Sequence, residues 1–415
     1  MIHERTQCRA CGSRNLMLIL DLGKTALAND FLPPEDVEKY HTFLPLRVML
    51  CPECSLVQLA DTVDPTILYS HYAYVTSTSA TMDAHLNQQA AHLLATAHLG
   101  AGSKVLEIAS NTGVFLKKFK EQGCEVLGIE PAGNIADIAV ATAIPTRKEF
   151  FNAATARGLK AGWGAADLVL GRHVFAHIDD LQDLLAGLEG ISHQETLVAF
   201  EVPYLADFFE HTEYDTIYHE HLSYLSVRSI EALVQDSAFM LSRVDHYPIH
   251  GGSILFHLRL RSSRPAVHES VPKALETEQQ MRLAEPATWA AFARRVHHIR
   301  AELPALLRRL KAQGKRLIGY GASAKGNTLL NTCGISTREL DYIIDNTPFK
   351  QHKVAPGSWI PIRPPERLLS DPPDHALLLA WNFAPEILRR EAEFQKRGGR
   401  FILPIPEPKI IPFPR

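Results

Sequence analysis

Apolar and polar residues alternate in blocks along most of the chain, in the order expected for strands that are followed by helices. The pattern predicts strands at 104–108, 125–129, 166–170 and 196–201, and helices at 115–121, 135–141 and 181–188. Such alternation is typical of an α/β fold with a parallel-rich sheet. In folds of this kind ligands bind at the carboxyl ends of the strands.

The same alternation returns near the carboxyl terminus. Strands are predicted there at 315–320, 342–344, 376–380 and 401–403. Before them lie a strand at 253–260, whose apolar residues recur at every second position, and a long charged helical region at about 276–313. We therefore expect a second, smaller α/β domain in the carboxyl-terminal part of the chain.

Length and composition limit the class of protein. A chain of 415 residues is too long for one ordinary hydrophobic core, and its 46% hydrophobic and 21% charged residues are those of a soluble globular protein. The net charge of -3 gives no overall positive field for nucleic acid. The chain has no run of about 18 apolar residues and no apolar core of a signal peptide. We expect a cytoplasmic protein without a nucleic-acid or membrane partner, and the sequence does not indicate its oligomeric state.

Four of the six cysteines form two closely spaced pairs, Cys8 with Cys11 and Cys51 with Cys54. Two-residue spacing lets both thiolates of a pair reach one tetrahedral zinc ion, and four sulfur ligands leave no open position on it. The pattern therefore predicts a structural zinc ion in an amino-terminal module. Disulfides or a redox role are less favoured in a reducing cytoplasm.

A polar turn at 109–113 follows the strand at 104–108 and leads into a helix. Small residues at this place let the backbone approach a ligand, and an acid directly after the next strand can accept hydrogen bonds from ribose hydroxyls. The arrangement predicts a site for S-adenosylmethionine. The residues expected to form it are Glu107, Ala109, Asn111, Gly113 and Glu130.

Residues 214–221, with the sequence YDTIYHEH, contain two tyrosines, two acids and two histidines. Histidine is the natural candidate for a general base, because its unperturbed pKa of about 6.5 lies near working pH. The alternative is a polar turn with solvated side chains.

A third motif lies in the carboxyl-terminal part, where Gly321 and Lys325 belong to a glycine-rich turn after a predicted strand. Such a turn exposes backbone N–H groups, and lysine adds a positive charge, so a diphosphate would suit it. A purely structural tight turn is the alternative. Asp345, at the end of the next strand, could contact a ribose or cap the following turn.

Five motifs occur in order along the chain. They are Cys51–Leu59 (CPECSLVQL), Glu107–Gly113 (EIASNTG), Ile217–His221 (IYHEH), His250–Gly252 (HGG) and Gly319–Lys325 (GYGASAK). Together they resemble the zinc-containing sugar C-methyltransferases of deoxysugar biosynthesis, close to the C-3 methyltransferases of nucleotide-linked 4-keto-deoxysugars. The resemblance spans nearly the whole chain.

The resemblance implies three domains: a zinc-binding domain (1–70), a Rossmann-like methyltransferase domain (71–255), and a carboxyl-terminal domain (256–415) that helps hold a nucleotide-sugar such as a dTDP-sugar. By position it implies His221 as the general base, Tyr218 and Glu220 as its active-site neighbours, His177 as a second imidazole, and Tyr72 as an aromatic group by the substrate. The chain departs from the family at Ala109, where glycine is common, and at Thr112, where aspartate is common.

The chemistry follows from the residue types as well. A carbon beside a ketone becomes nucleophilic when its proton is removed, which places negative charge on the ketone oxygen. His221 can remove the proton, with Glu220 or another carboxylate orienting an imidazole, while Tyr218 or His177 donates to the enolate oxygen. The alternatives are methylation of an oxygen, of a nitrogen or of a non-sugar ketone, and a non-catalytic zinc-ribbon binding module.

Overall fold

A computed structural model describes residues 2–69, 80–249 and 251–412, which form parts of two compact units. The first unit contains Met1–Met17, Met49–Ala206 and Leu222–Pro286, and the second contains Leu18–Val48, Asp207–His221 and Ala287–Arg415. Tyr72 and His250, both named from the sequence, lie outside the described residues.

The regular elements of the described residues are numbered in chain order. The strands are β1 (Ile2–Glu4), β2 (Met17–Ala26), β3 (Phe43–Leu50), β4 (Val57–Leu59), β5 (Asp61–Val63), β6 (Lys104–Ile108), β7 (Glu125–Ile129), β8 (Thr146–Arg147), β9 (Ala166–Arg172), β10 (Ser192–Pro203), β11 (Ser223–Tyr224), β12 (Phe239–Tyr247), β13 (Ser253–Leu260), β14 (Leu317–Tyr320), β15 (Ile343–Ile344), β16 (Ile362–Arg363), β17 (His375–Leu378), β18 (Arg400–Leu403) and β19 (Lys409–Ile410). The α-helices are α1 (Pro65–Tyr69), α2 (Ala80–Thr96), α3 (Val114–Lys120), α4 (Gly133–Ala141), α5 (Ala153–Gly162), α6 (Leu181–Ile191), α7 (Leu205–His211), α8 (Val227–Val234), α9 (Ser270–Gln280), α10 (Pro286–Ala312), α11 (Ala324–Cys333), α12 (Arg367–Ser370), α13 (Ala384–Arg390) and α14 (Ala392–Lys396).

The first unit is built on a seven-stranded sheet with the order β12-β13-β10-β9-β6-β7-β8. Strands β10, β9, β6, β7 and β8 pair in parallel, and β13 and β12 extend the β10 edge in the antiparallel sense. The chain runs from β6 outward through β7 to β8 and then returns to β9 on the other side of β6, so the strand order reverses at β6. A ligand crevice is expected at the carboxyl end of such a strand.

Helices α2 and α3 pack with this sheet in the core of the first unit. Leu93 and Phe115 belong to one buried cluster with Val105 of β6 and Leu168 of β9. Outside the large sheet, the amino-terminal residues of this unit form the antiparallel pair of β1 with β5, in which Ile2 lies opposite Val63. Strand β4 pairs with β11, also antiparallel.

The second unit contains a six-stranded sheet with the order β16-β15-β14-β17-β18-β19. All of its pairs are parallel except β18 with β19. Strand β14 lies between β15 and β17, so this sheet has the same kind of reversal of strand order as the sheet of the first unit. The expected second α/β sheet is therefore present.

The long helical region predicted at about 276–313 is two helices, α9 and α10. Arg282 between them has a positive φ of 58°, and Glu285 precedes Pro286, the first residue of α10. A residue before proline is disfavoured in the α conformation, so the helix restarts at the proline rather than continuing through it. None of the described helices is long and apolar enough to cross a membrane.

Candidate active site and metal centre

The four paired cysteines meet in the first unit. Their Sγ atoms all lie within 4.8 Å of one another, with 3.5 Å between Cys8 and Cys54 and 3.6 Å between Cys11 and Cys51. Four Zn–S bonds of about 2.3 Å in a tetrahedron require sulfur separations of about 3.8 Å. The cysteines therefore fit a zinc ion with four sulfur ligands and no open position.

A second group of possible metal ligands in the first unit is better explained as a hydrogen-bonded cluster around Asp245. Asp245 accepts hydrogen bonds from His92, His257 and Arg243. The buried Nδ1 atom of His257 has no hydrogen-bond partner among the described residues, whereas a metal-bound imidazole usually donates its second N–H to an acceptor. The arrangement satisfies the carboxylate without a metal.

The predicted donor residues gather where β6 and β7 end in the first unit. Glu130 accepts hydrogen bonds through both carboxylate oxygens, from the backbone N–H of Asn111 and from that of Ala132, each at 2.9 Å. Ala109, Asn111 and Gly113 all have positive φ, at 53°, 51° and 74°. The carboxylate thus holds a turn of unusual backbone conformation, and Ala109 adopts it without the freedom of the glycine that is common there.

Gly113 has a second constraint besides its φ. A Cβ atom at this position would lie 2.8 Å from Cγ2 of Ile144, closer than real contacts allow. Two independent reasons therefore require glycine where the turn enters α3.

Glu107 lies beneath this turn in β6 and is buried. Its Oε2 atom has no hydrogen-bond partner among the described residues. Burial raises the pKa of Glu107 to about 8; the charge of Arg172 opposes this shift and that of Glu130 adds to it. The side chain therefore holds a proton near neutral pH.

His177 belongs to the first unit and follows β9. Its Nδ1 atom lies 2.8 Å from the hydroxyl of Tyr69, the last residue of α1. Burial, with a smaller contribution from His173, lowers the pKa of His177 to about 3. This imidazole is neutral at working pH and can offer a hydrogen bond but not a positive charge.

In the second unit, Tyr218 and His221 form a close pair. The hydroxyl of Tyr218 lies 2.6 Å from Nε2 of His221, and the backbone carbonyl of Thr216 lies 2.9 Å from its Nδ1. A carbonyl only accepts, so Nδ1 carries the proton and Nε2 carries the lone pair that receives the Tyr218 hydrogen bond. The local chain thus fixes His221 in the tautomer that a base acting through Nε2 requires.

Glu220 is held by a residue from a distant part of the chain. Both of its carboxylate oxygens accept from the side-chain amide of Asn29, at 2.8 and 2.9 Å. Asn29 follows Ala28, whose carbonyl accepts from the side chain of Asn327 at 2.7 Å. Asn29, like Tyr69 in the first unit, was not predicted from the sequence, because 191 residues separate it from Glu220 and no local pattern joins them.

Lys325 pairs with the segment that precedes Tyr218. Its Nζ atom lies 3.2 Å from Glu213 and 5.3 Å from the centre of the Trp381 ring. The Trp381 indole in turn donates to the buried carboxylate of Asp215 at 2.6 Å. Burial raises the pKa of Asp215 to about 6, opposed by the charge of Lys325.

The glycine-rich turn of the second unit is occupied by contacts of its own chain. Asp345 accepts from the backbone N–H of Ala322 and from that of Thr347, both at 2.7 Å. The hydroxyl of Ser323 accepts from the N–H of Gly326 at 3.0 Å. These contacts show that Asp345 caps its own turn, as Glu130 does in the first unit, and the diphosphate role of Gly321 and Lys325 stays a prediction.

The chain matches known families over almost its whole length. The zinc binding domain family matches residues 8–69, the methyltransferase domain family residues 82–241, and the C-methyltransferase C-terminal domain family residues 248–406. The C-methyltransferase NovU from Streptomyces niveus is 37% identical over 405 residues, which are 98% of this chain and 96% of that protein.

Solved structures resemble part of the chain. The magnesium protoporphyrin IX methyltransferase ChlM from Synechocystis, with bound S-adenosylmethionine, is 13% identical with a TM-score of 0.32 and covers 43% of this chain and 79% of its own. The PH0226 protein from Pyrococcus horikoshii is 13% identical with a TM-score of 0.36 and covers 48% of this chain and 96% of its own.

Proposed function

We propose, from the premise that this chain belongs to the S-adenosylmethionine-dependent C-methyltransferases with a zinc-binding domain, that its substrate is a nucleotide-linked 4-keto-deoxysugar. The methylated atom is the carbon beside the ketone, C-3. S-adenosylmethionine supplies the methyl group, and the four-cysteine site binds structural zinc. The nucleotide is dTDP or a similar carrier.

The observation that carries this proposal is the Tyr218–His221 pair. Because the Thr216 carbonyl holds the Nδ1 proton, Nε2 of His221 is ready to accept a proton. A proton from the substrate carbon reaches Nε2 directly, or the Tyr218 hydroxyl takes it while passing its own proton to Nε2. In both cases His221 becomes the imidazolium and the substrate becomes an enolate.

The enolate then needs partners for its oxygen and for its carbon. The neutral His177 imidazole and the Tyr218 hydroxyl are the groups that can donate to the oxygen, which is where negative charge develops. The carbon attacks the donor methyl in line, and the electron pair of the broken bond remains on the donor sulfur. Glu107, Asn111 and Glu130, with Ala109 and Gly113 in the same turn, form the donor site in this proposal.

The carboxyl-terminal domain binds the nucleotide in this proposal, with Gly321 and Lys325 at the diphosphate. Lys325 would exchange its contact with Glu213 for the phosphate oxygens. A Lys325→Met enzyme should then show a raised KM for the nucleotide-sugar and an unchanged donor affinity. Equal KM values would support the purely structural turn instead.

Replacing the base is the decisive experiment. His221→Ala and His221→Asn should lower turnover by roughly 10²–10⁴-fold, the usual size of general-base catalysis, with both ligands still bound. In deuterated water the wild-type enzyme should exchange the substrate hydrogen beside the ketone, and the His221 variants should not. Tyr218→Phe serves as the matched variant, because it removes the hydroxyl and leaves the His221 contact with Thr216 in place.

Two outcomes would contradict the proposal. A His221→Ala enzyme that turns over near the wild-type rate would show that His221 is not the general base, and His177 would become the leading candidate for that role. Mass spectrometry of keto-sugar nucleotides incubated with enzyme and donor should show the gain of one methyl group on carbon. A methyl group on oxygen or nitrogen, or on a non-sugar ketone only, would favour the other substrate classes, and no transfer at all would favour a binding module.

A further inference from the structure

The segment that carries His177 is held by side chains that come from the first 69 residues of the chain. All of these residues belong to the first unit. At one end, the Tyr69 hydroxyl lies 2.8 Å from His177 Nδ1. Two residues farther on, Asp179 accepts hydrogen bonds from Arg9 at 2.9 Å and from Thr62 at 3.2 Å. The His177 ring and the Asp179 carboxylate are thus each held by side chains from the amino-terminal residues.

Arg9 is unusual because it stands inside a zinc knuckle, between Cys8 and Cys11, and its side chain is completely buried. Its guanidinium donates to the backbone carbonyl of Leu59 at 2.7 Å and to the Thr62 hydroxyl at 2.6 Å, besides the contact with Asp179. The Gln58 side chain accepts from it at 3.1 Å. The guanidinium is therefore held on every side, and it can fix Asp179 in turn.

The charge of Arg9 explains why its partner in this segment is a carboxylate, Asp179. A buried guanidinium without a carboxylate partner is costly, and Asp179 is the carboxylate that Arg9 contacts. Burial alone would raise the pKa of Asp179, but the charges of Arg9 and Arg5 keep it below its usual value. The carboxylate is ionised at working pH, so the pair persists throughout the working range.

We propose that Arg9 is a positioning residue for His177: the first zinc knuckle, through Arg9 and Asp179, holds the segment that presents this imidazole to the enolate oxygen. The inference rests on the proposed function, since it requires that His177 act in catalysis. It gives the structural zinc site a consequence for turnover. A displacement of about 1 Å at a group in contact with reacting atoms can cost about 10²-fold in rate.

The test uses full-length, zinc-loaded enzyme and the variant Arg9→Gln, which keeps amide donors and removes the charge. Its kcat should fall by about 10–100-fold, with the donor dissociation constant and the zinc content unchanged. Arg5→Gln is the matched control. Arg5 also pairs with Asp179, at 3.3 Å, but is partly exposed, so its kcat should change by less than about threefold.

The double variant separates positioning from general stability. In a His177→Asn background, Arg9→Gln should cause no further loss of kcat, because the group it positions is already gone. Independent, multiplying losses would overturn the role of Arg9. A His177→Asn enzyme with wild-type kcat would instead remove His177 from the proposed function.

Asp179→Asn provides a second route if Arg9→Gln fails to fold. The amide oxygen can still accept from Arg9, while the ion pair is lost. The same lack of additivity with His177→Asn is expected. If the losses of kcat from Asp179→Asn and His177→Asn multiply in the double variant, the inference would also be overturned.

Discussion

The two α/β sheets contain turns of closely similar construction. In the first unit, Ser110 donates its N–H to the carbonyl of Ile129, and the next residue, Asn111, donates to Glu130. In the second unit, Gly321 donates to the carbonyl of Ile344, and Ala322 donates to Asp345. Each turn follows the strand at which the strand order of its sheet reverses, and each is held by the carboxylate that comes directly after the neighbouring strand.

Beneath these turns the two units differ. Aligned by these hydrogen bonds, Glu107 in β6 corresponds to Ile318 in β14, and both side chains are buried. The first turn therefore lies over an ionisable carboxyl group, and the second over an aliphatic side chain. A cationic donor such as S-adenosylmethionine favours the first environment. We therefore propose that turns of the same construction have different ligand chemistry in the two units because of this one buried position.

The largest effects should come from the glycines of the two turns. Gly113→Ala places a Cβ atom 2.8 Å from Ile144, and Gly321→Ala places one 2.9 Å from Cβ of Ala380. Positive φ for alanine costs about 1–2 kcal/mol and overpacking typically adds about 1–3 kcal/mol, so we expect a loss of about 2–5 kcal/mol in unfolding free energy for each. Only Gly113→Ala should also weaken donor binding.

Two other glycines provide the controls. Gly102 has φ of 84° and Gly314 has φ of 76°, and a Cβ atom at either would meet nothing within 4 Å. Alanine there should cost only the conformational part, about 1–2 kcal/mol. Equal losses at Gly102 and Gly113 in chemical denaturation would show that the contact with Ile144 relaxes without cost.

The fold could be predicted where burial and period agree. Strands β6 and β7 occur at the predicted residues 104–108 and 125–129, since nearly all of their residues are buried. Strand β12 was not predicted. Its pairing with β13 shifts register between Leu241 and Arg243, which moves the buried side chains off a strict two-residue period.

The candidate site could be predicted only where it is local. Tyr218 and His221 are three residues apart, so their contact lies within one short segment. The partners of Glu220 and His177 are 191 and 108 residues away, and hydrophobic periodicity holds no information on such pairs. Sequence therefore indicated the chemical groups, whereas tertiary structure was needed to show what orients them.

An intermediate effect is expected for the carboxylates that hold the turns. Glu130→Ala should weaken S-adenosylmethionine binding by roughly 1.5–3 kcal/mol, because it removes the proposed ribose contact together with the support of Asn111. Asp345→Ala removes the same type of backbone contact from the second turn and should leave donor affinity unchanged. Calorimetry that gives equal donor affinities for Glu130→Ala and wild type would place the donor elsewhere.

The smallest effect, and the most specific to the difference between the turns, is a proton released when the donor binds. Burial raises the pKa of Glu107 to about 8, so the folded protein holds this proton at pH 7. The linked contribution to stability is fully present below the unfolded pKa of about 4.3 and is lost as pH rises through 8.

The positive charge of S-adenosylmethionine should favour the carboxylate and expel the proton, so donor affinity should rise with pH up to about 8 and then level off. Calorimetry at pH 7 in buffers of different ionisation enthalpy should give a release approaching one proton, and Glu107→Gln should give none. A release that persists in Glu107→Gln would assign the proton to another group, and the buried carboxyl would no longer distinguish the first turn from the second.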